Sequence, residues 1–205
     1  TAFSGGEEWL DERIVTALRG FVWEGGGCGG LGEPSAACFG GRFFQLADVL
    51  GVDEELGFGL STDIYFTKEQ EKHFLREDRE GAFDFGEGMK NVYALWEDTE
   101  IVEYSHGEVH ASAHPYGKGR GVYLAGLPYS CENTRLLMRC LYYSAKKEGE
   151  MKRWFADNPL CEVHAYPVTG KYAVVNNSQE AQHTLVYDGE GKSFPMYLEG
   201  CGIVW

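Results

Sequence analysis

The sequence is poor in basic residues and has no long apolar run. Its 205 residues include 18 Lys and Arg against 32 Asp and Glu, which gives a formal net charge of −14. Sequence-independent binding to phosphate backbones needs clustered Lys and Arg, so this balance argues against a nucleic-acid partner. Apolar stretches such as residues 121–127 are far shorter than the ~20 residues of a membrane-spanning helix. We expect a soluble chain with no membrane contact and no export signal.

The spacing of the six cysteines also matches no known motif. No two of them form the Cys-x-x-Cys pair of a zinc knuckle or a redox centre. Isolated cysteines favour reduced, mostly buried thiols of a cytoplasmic protein. The cysteines are Cys28, Cys38, Cys131, Cys140, Cys161 and Cys201.

The first three quarters of the chain have the strand and helix pattern of an α/β domain. Helices are predicted over residues 7–23, capped near Ser4, over residues 42–50, ended by Gly51, and from the 128–133 turn to about Lys147. A short glycine-rich strand is predicted to run from residue 28 into a turn at Glu33. Further strands are predicted over residues 91–96, 109–113 and 121–127.

The remaining residues alternate between apolar and polar, which is typical of β-strands. We place a domain boundary near residue 157, with an α/β domain over residues 1–157 and a small antiparallel β domain over residues 158–205. The predicted strands of the second domain cover residues 162–166, 171–175, 183–187 and 193–198.

Three glycines, at positions 25, 27 and 30, match the spacing of the dinucleotide fingerprint. In that fingerprint a strand leads into a helix whose N-terminus meets the pyrophosphate. Here the predicted helix precedes the glycines and a proline follows them, so the order is reversed. We interpret the glycines as a helix end and a closely packed strand, and we predict no cofactor.

Three histidines, His106, His110 and His114, are spaced four residues apart. On a helix this spacing would place three possible metal ligands on one face. The surrounding sequence alternates like a strand, on which the outer two would lie roughly 26 Å apart. We therefore predict a solvated strand face and no metal site.

Ser130 and Cys131 follow an apolar strand and precede a helix, as a nucleophile does in several α/β enzymes. The Gly-x-Ser-x-Gly signature and the small neighbours of a strained turn are missing. Ser130 is better interpreted as a helix cap. Arg42, Arg120 and Arg135 could contact an anion, but nothing in the sequence brings them together.

Glu33 is the carboxylate with the most suggestive position. It follows a predicted strand and lies between Gly32 and Pro34, and ligands of open α/β sheets bind at the carboxyl ends of strands. We name Glu33 as a candidate substrate-binding residue. The alternative is that it accepts hydrogen bonds within its own turn.

Five segments, in order, resemble the 1,3-β-galactosyl-N-acetylhexosamine phosphorylases, also called lacto-N-biose or galacto-N-biose phosphorylases. The segments are GFVWEGGGCGGLGEPSA (20–36), GRFFQLADVLGV (41–52), GFGLSTD (57–63), GKGRGVYLAGLPYS (117–130) and EVHAYP (162–167). Residues 28–29 and 37–38 depart from the bulkier or more polar residues expected there. The resemblance covers nearly the whole chain.

The resemblance implies an inverting phosphorylase that cleaves Gal-β1,3-GlcNAc or Gal-β1,3-GalNAc with inorganic phosphate as co-substrate. It implies a (β/α)₈ barrel with the catalytic Asp, a glutamine-amidotransferase-like (flavodoxin-like) central domain with a mostly parallel sheet, and a C-terminal β domain. This sequence would then be the later part of the central domain, without its first strands, and the C-terminal domain. No catalytic residue is carried onto it.

Two functions follow as hypotheses. In the first, the chain is a portion of a phosphorylase that is inactive alone, supports the absent barrel and contributes to a homodimer. In the second, it is a free-standing amidotransferase-like module that binds a small sugar at Glu33 without catalysis.

Overall fold

The computed structural model describes residues 1–5, 11–33, 44–55, 66–79 and 81–205. The chain divides into two units, Thr1–Lys146 and Lys147–Trp205. The division comes before the boundary near residue 157 that the sequence suggested. The strand Phe155–Ala156 pairs with a strand of the second unit, so it belongs with the residues that follow it.

The first unit combines helices with two sheets. Its elements are β1 (Ala2–Gly5), α1 (Glu12–Trp23), β2 (Gly27–Leu31), α2 (Ala47–Leu50), β3 (Val52–Glu54), β4 (Val92–Ala94), β5 (Glu100–Ser105), β6 (Glu108–Tyr116), β7 (Gly119–Leu124) and α3 (Cys131–Ser144). A short 3₁₀ helix, Phe74–Arg76, lies between β3 and β4. No helix among the described residues is both long and apolar enough to cross a bilayer.

The main sheet is mixed, in the order β1-β2-β7-β6-β5. Strands β1, β2 and β7 run parallel to one another, whereas β6 and β5 are antiparallel to their neighbours. Strands β3 and β4 form a separate antiparallel pair. The sequence predicted neither β1 nor β5, and the amidotransferase-like assignment of this sheet stays a prediction.

Helix α1 begins later than predicted. Its N-cap is Asp11, whose carboxylate accepts a hydrogen bond from the Arg13 backbone N–H at 2.7 Å. Ser4 is not the cap, because it lies in β1, opposite Gly30 of β2. Residues 7–10 of the predicted helix lie outside the described part of the chain. A parallel strand pairing is a long-range contact, so helical spacing downstream of Ser4 could not reveal it.

One predicted end of each other helix is confirmed, whereas α2 begins at Ala47 and not near residue 42, and α3 ends at Ser144 and not near Lys147. Gly51 ends α2 with a left-handed φ of 73°, which favours glycine. Ser130 caps α3 by accepting the Asn133 N–H at 3.0 Å. The buried side of α3 contains Leu136 and Cys140 as predicted, and also polar residues that the apolar pattern did not indicate.

The glycines after α1 allow close packing, as predicted. Gly25 has a φ of 118° just beyond the helix, and β2 then passes directly over α3. A Cβ on Gly27 would lie 2.5 Å from the carbonyl oxygen of Ser144. A side chain at Gly27 would therefore push α3 away from the sheet.

The second unit consists of two three-stranded antiparallel sheets, ordered β13-β10-β9 and β12-β11-β8. Ala156, Cys161, Val174, Val186 and Leu198 form its core. The four predicted strands are confirmed to within one residue. The strands are β8 (Phe155–Ala156), β9 (Cys161–Tyr166), β10 (Lys171–Asn176), β11 (Gln182–Tyr187), β12 (Ser193–Leu198) and β13 (Ile203–Val204).

Candidate functional site

The carboxyl ends of the parallel strands β2 and β7 form one edge of the first unit. β2 ends at Leu31, and the next residue, Gly32, donates its N–H to the carbonyl of Leu124 at the end of β7. Gly32 has a φ of 64°, which turns the chain away from the sheet and leaves Glu33 half-buried at the edge. Glu33 therefore lies where the sequence placed it, at a strand end, and ligand binding by Glu33 stays a prediction.

A second carboxylate lies close to Glu33. Burial, together with the negative charges of Glu33 and Asp53, raises the pKa of Glu54, at the end of β3, to about 7. Burial also raises the pKa of Asp53 to about 6, although its Oδ1 accepts N–H hydrogen bonds from Phe44 and Glu54, each at 2.9 Å. Glu54 can therefore gain or lose a proton near neutral pH, which a solvated carboxylate cannot do.

Tyr123 is a further ionisable side chain near these carboxylates, and it lies in the core. It lies on β7 between Gly30 and Ser112 of the neighbouring strands, and its side chain is completely buried. Its hydroxyl has no hydrogen-bond partner among the described residues. Burial raises its pKa well above the usual value, and the charges of Glu54 and Glu108 raise it further. The phenol is therefore a neutral donor.

A cavity of about 800 Å³ opens beside this edge. One wall is the loop of residues 81–90. This loop is held on the end of β7, because Met89 donates its N–H to the carbonyl of Ala125 at 2.8 Å. The side-chain amide of Asn133 donates to the carbonyls of Asp84 and Pro128, at 2.9 and 2.7 Å. The wall is thus attached to both β7 and α3.

Close backbone contact explains the glycines in this wall. A Cβ on Gly126 would lie 2.2 Å from the carbonyl oxygen of Phe85, and one on Gly88 would lie 2.8 Å from the carbonyl oxygen of Ala125. Gly86 adopts a φ of 63° and donates its N–H to Asp84 Oδ1 at 2.9 Å. Larger residues at positions 88 and 126 would displace the loop.

The opposite wall is the turn between β5 and β6. Ser105 pairs with Glu108, and the two residues between them, His106 and Gly107, have φ values of 54° and 89°. Two positive φ values are the signature of a tight hairpin turn whose twist matches the strands. Glu108 also accepts a hydrogen bond from the Asn91 N–H, so its carboxylate is held in place.

His110 joins the two walls. Its imidazole stacks on the Phe85 ring, with centroids 5.5 Å apart and planes 20° apart. Its Nε2 lies 3.2 Å from the Ser105 carbonyl oxygen. Its Nδ1 is buried and has no partner within the described ranges. The cavity is lined by Phe83, Asp84, Phe85, Gly86, Glu87, Gly88, Lys90, Ser105, His106, Glu108 and His110.

The three histidines do not share one solvated face. His106 lies in the turn, His110 stacks against the loop, and His114 is buried, with only 6% of its surface exposed. The Nδ1 atom of His114 lies 3.4 Å from the Thr99 hydroxyl. The prediction of a solvated strand face is therefore wrong for His114, because Gly51 and Thr99 pack against it. Within the described residues, no three His, Cys, Asp or Glu side chains could share a metal ion.

The other residues singled out in the sequence lie elsewhere. Arg120 donates to the Tyr143 carbonyl at 3.0 Å, and Arg135 lies 3.6 Å from the Asp78 carboxylate. Arg42 and Cys38 lie outside the described residues. Cys131, beside the Ser130 cap, is a free thiol. The structure does not bring Arg120 and Arg135 together as an anion site.

Sequence reasoning missed the cavity. In the loop that forms one wall, acidic residues alternate with Phe83 and Phe85, and glycines follow. Aromatic and carboxylate side chains close to glycines indicate an ordered turn. That signal does not reveal that the loop faces the β5–β6 turn, because the two walls are about twenty positions apart in the chain.

Comparison with known families gives two matches in sequence order. A family model described as the lacto-N-biose phosphorylase central domain matches residues 1–149. A second model, the lacto-N-biose phosphorylase C-terminal domain, matches residues 154–205. Together they account for almost the entire chain.

Three relatives are named 1,3-β-galactosyl-N-acetylhexosamine phosphorylase. Two from Lachnoclostridium phytofermentans are 45% and 46% identical over all 205 residues, which cover 28% of each relative. One from Bifidobacterium longum subsp. longum is 39% identical, and the chain covers 32% of it. The chain therefore spans less than a third of the length of these relatives.

Among solved structures, a β-galactosidase from Bacillus circulans sp. alkalophilus is similar with a TM-score of 0.52. The two are 14% identical, and the match covers 99% of this chain and 32% of the galactosidase. Identity this low indicates a related fold and carries no statement about activity.

Proposed function

The chain belongs to the lacto-N-biose phosphorylase family, and on this basis we propose that it forms the non-catalytic central and C-terminal portion of a disaccharide phosphorylase. The whole enzyme would cleave Gal-β1,3-GlcNAc or Gal-β1,3-GalNAc with inorganic phosphate. The observation that supports this is 39–46% identity, over the full chain, to relatives named for galactosyl-N-acetylhexosamine phosphorolysis.

The proposed reaction needs one protonated carboxyl and a bound phosphate. An oxygen of phosphate attacks the anomeric carbon of galactose as the glycosidic bond breaks on the opposite face. The departing oxygen takes a proton from the carboxylic acid. The products are galactose 1-phosphate, with inverted configuration, and the free N-acetylhexosamine. No second carboxylate is needed, because phosphate replaces the activated water of a hydrolase.

We place this chemistry outside the chain, on the absent barrel. Phosphate binding needs cationic side chains that are free to contact it. Three arginines of the described residues already have carboxylate partners: Arg19 is paired with Asp48, Arg76 with Glu103 and Arg139 with Asp78. A net charge of −14 opposes the binding of an anion further. The chain would instead support the barrel in a cytoplasmic homodimer, with the amidotransferase-like domain as a scaffold.

The test compares the 205-residue chain with the longer polypeptide that carries it. Each is incubated with Gal-β1,3-GlcNAc or Gal-β1,3-GalNAc and phosphate, and galactose 1-phosphate is measured. We expect release by the longer polypeptide and none by this chain. Release by this chain alone would contradict the non-catalytic role. The absence of release by the longer polypeptide with either disaccharide would contradict the proposed activity.

A further inference from the structure

The cavity between the 81–90 loop and the β5–β6 turn is a built site without an assigned function. Its volume of about 800 Å³ lies within the range of small-molecule sites. It is formed by described residues of the first unit alone, and Glu33 is not among those that line it. An inference about this cavity is therefore independent of the phosphorolysis proposed above.

The charges around the cavity oppose the binding of an anionic ligand. Asp84, Glu87 and Glu108 carry carboxylates, and Lys90 carries the opposing ammonium. The carboxylates outnumber the ammonium, so a phosphate or an acidic metabolite would be repelled. A ligand for this cavity must instead bring hydrogen-bond donors to the carboxylates.

A metal ion is not a suitable ligand for these carboxylates. A bound calcium ion requires six to eight oxygen ligands converging on one point. No three carboxylate or imidazole groups in the described part of the chain are placed to share an ion. The acceptors of the cavity are spread along two walls, which suits a ligand with several separated donors.

The cavity also offers hydrogen-bond donors, which a ligand that carries acceptors can use. The Lys90 ammonium and the Ser105 hydroxyl can donate, and His106, in the turn, presents an exposed imidazole. A polyamine could satisfy the carboxylates, but it has no acceptor for Lys90. A ring that bears several hydroxyl groups satisfies both sets, because each hydroxyl donates one hydrogen bond and accepts others.

Hydrogen bonds and a ring contact hold both walls in place without a ligand. The loop is fixed by the Met89 hydrogen bond to β7 and by the Asn133 amide on α3. The turn is fixed by Glu108, which accepts from the Asn91 N–H, and Phe85 and His110 stack across the floor. Preformed walls reduce the entropy lost on binding.

We propose that this cavity binds an uncharged saccharide, whose hydroxyls contact Asp84, Glu87, Lys90 and Glu108 while the ring lies beside His106. This gives the central domain a carbohydrate site of its own. No bond is made or broken there.

The test is titration calorimetry of the 205-residue chain with galactose, N-acetylglucosamine and Gal-β1,3-GlcNAc, at concentrations up to about ten times a millimolar dissociation constant. Glu87→Gln removes an exposed carboxylate charge, and we expect it to weaken saccharide binding about tenfold or more. His106→Gly removes the imidazole and retains the positive φ of the turn, and it should also weaken binding. The matched control is Glu190→Gln in the second unit, which should bind as the unmodified chain does.

Saccharide binding that falls in Glu87→Gln and His106→Gly, but not in Glu190→Gln, supports the proposal. No heat with any of the three sugars would overturn it, and so would equal binding by all variants. Binding of spermidine without binding of sugar would identify a cation site instead and would also overturn it. Each of these outcomes is distinct from failure of the proposed phosphorolysis, which is measured as galactose 1-phosphate in the longer polypeptide.

Discussion

The guanidinium of Arg139 lies 2.6 Å from the Asp78 carboxylate, with only 2% and 17% of the two side chains exposed. Arg139 also donates to the Phe74 carbonyl at 2.7 Å. These contacts attach the segment that contains the 3₁₀ helix to α3. The cavity loop begins a few residues after Asp78, so this buried ion pair supports one wall of the proposed saccharide site.

Removal of Asp78 should therefore destabilise the first unit strongly. Asp78→Ala leaves the buried Arg139 charge with only its longer contact to Glu77, at 3.4 Å, and the loss of one partner of a buried ion pair costs about 3–5 kcal/mol in comparable cases. The measurement is the free energy of unfolding in urea. Glu150→Ala is the control, because it breaks an exposed pair with Lys147 that should contribute less than about 1 kcal/mol. Equal effects of the two substitutions would contradict the assigned role of Arg139.

The carboxylates of Glu54 and Asp53 should make the free energy of unfolding depend on pH. Burial raises the pKa of Glu54 to about 7 and that of Asp53 to about 6, so the folded chain binds these protons more tightly than the unfolded chain. Their contribution to stability is therefore present below about pH 4 and is lost as the pH rises through about 6 to 7.

Glu54→Gln tests this dependence, because glutamine stays neutral at every pH. We expect the melting temperature of the variant to exceed that of the unmodified chain at pH 8 and to approach it near pH 4. Glu97→Gln, on an exposed turn, serves as the control and should show no comparable difference. A Glu54→Gln variant less stable than the unmodified chain at pH 8 would contradict the prediction.

Two glycines of the first unit should respond in opposite directions to alanine. A Cβ on Gly121 would lie 2.0 Å from the carbonyl oxygen of Val49, whereas a Cβ on Gly20, in α1, would meet no atom within 4 Å. Gly121→Ala should destabilise by about 1–3 kcal/mol, because α2 must move away from β7. Gly20→Ala should stabilise by about 0.5–1 kcal/mol. Thermal unfolding of both variants checks the signs, and a neutral Gly121→Ala would show that α2 does not pack as described.

Two adjacent asparagines of the second unit should contribute differently to its stability. The buried Asn176 amide donates to the Glu180 and Glu199 carbonyls at 2.7 and 2.9 Å, and its Oδ1 accepts from the Ser178 N–H. Asn176→Ala should cost about 1–3 kcal/mol, because it leaves polar groups unpaired. The Asn177 side chain is exposed, so Asn177→Ala should change stability by less than about 0.5 kcal/mol. Similar urea midpoints for the two variants would contradict this assignment.

Local signals in the sequence were sufficient for much of the secondary structure. The alternation over residues 161–198 predicted β9 to β12, because each strand of a small antiparallel sheet has one buried face. Ser130 and Gly51 were identified as helix ends from their residue types, because capping depends on hydrogen bonds and φ values within one turn. The five ordered segments also placed the chain in its family, which the domain matches confirm.

Contacts between distant residues were decided by the tertiary structure alone. β1 was missed because its pairing with β2 joins residues about 26 positions apart. Arg139 is buried because Asp78, 61 residues earlier, supplies its counter-charge. Glu33 was correctly placed at a strand end, but its proximity to Glu54 required the fold.

The cavity also depends on contacts between distant residues that the sequence does not reveal. Phe85 and His110 stack across 25 positions of the chain, and neither the loop nor the turn is concave alone. The sequence determined which local elements form and to which family the chain belongs, because those properties depend on neighbouring residues and on ordered motifs. The tertiary structure decided which polar side chains are buried and which walls face each other, because both depend on packing between segments far apart in the chain.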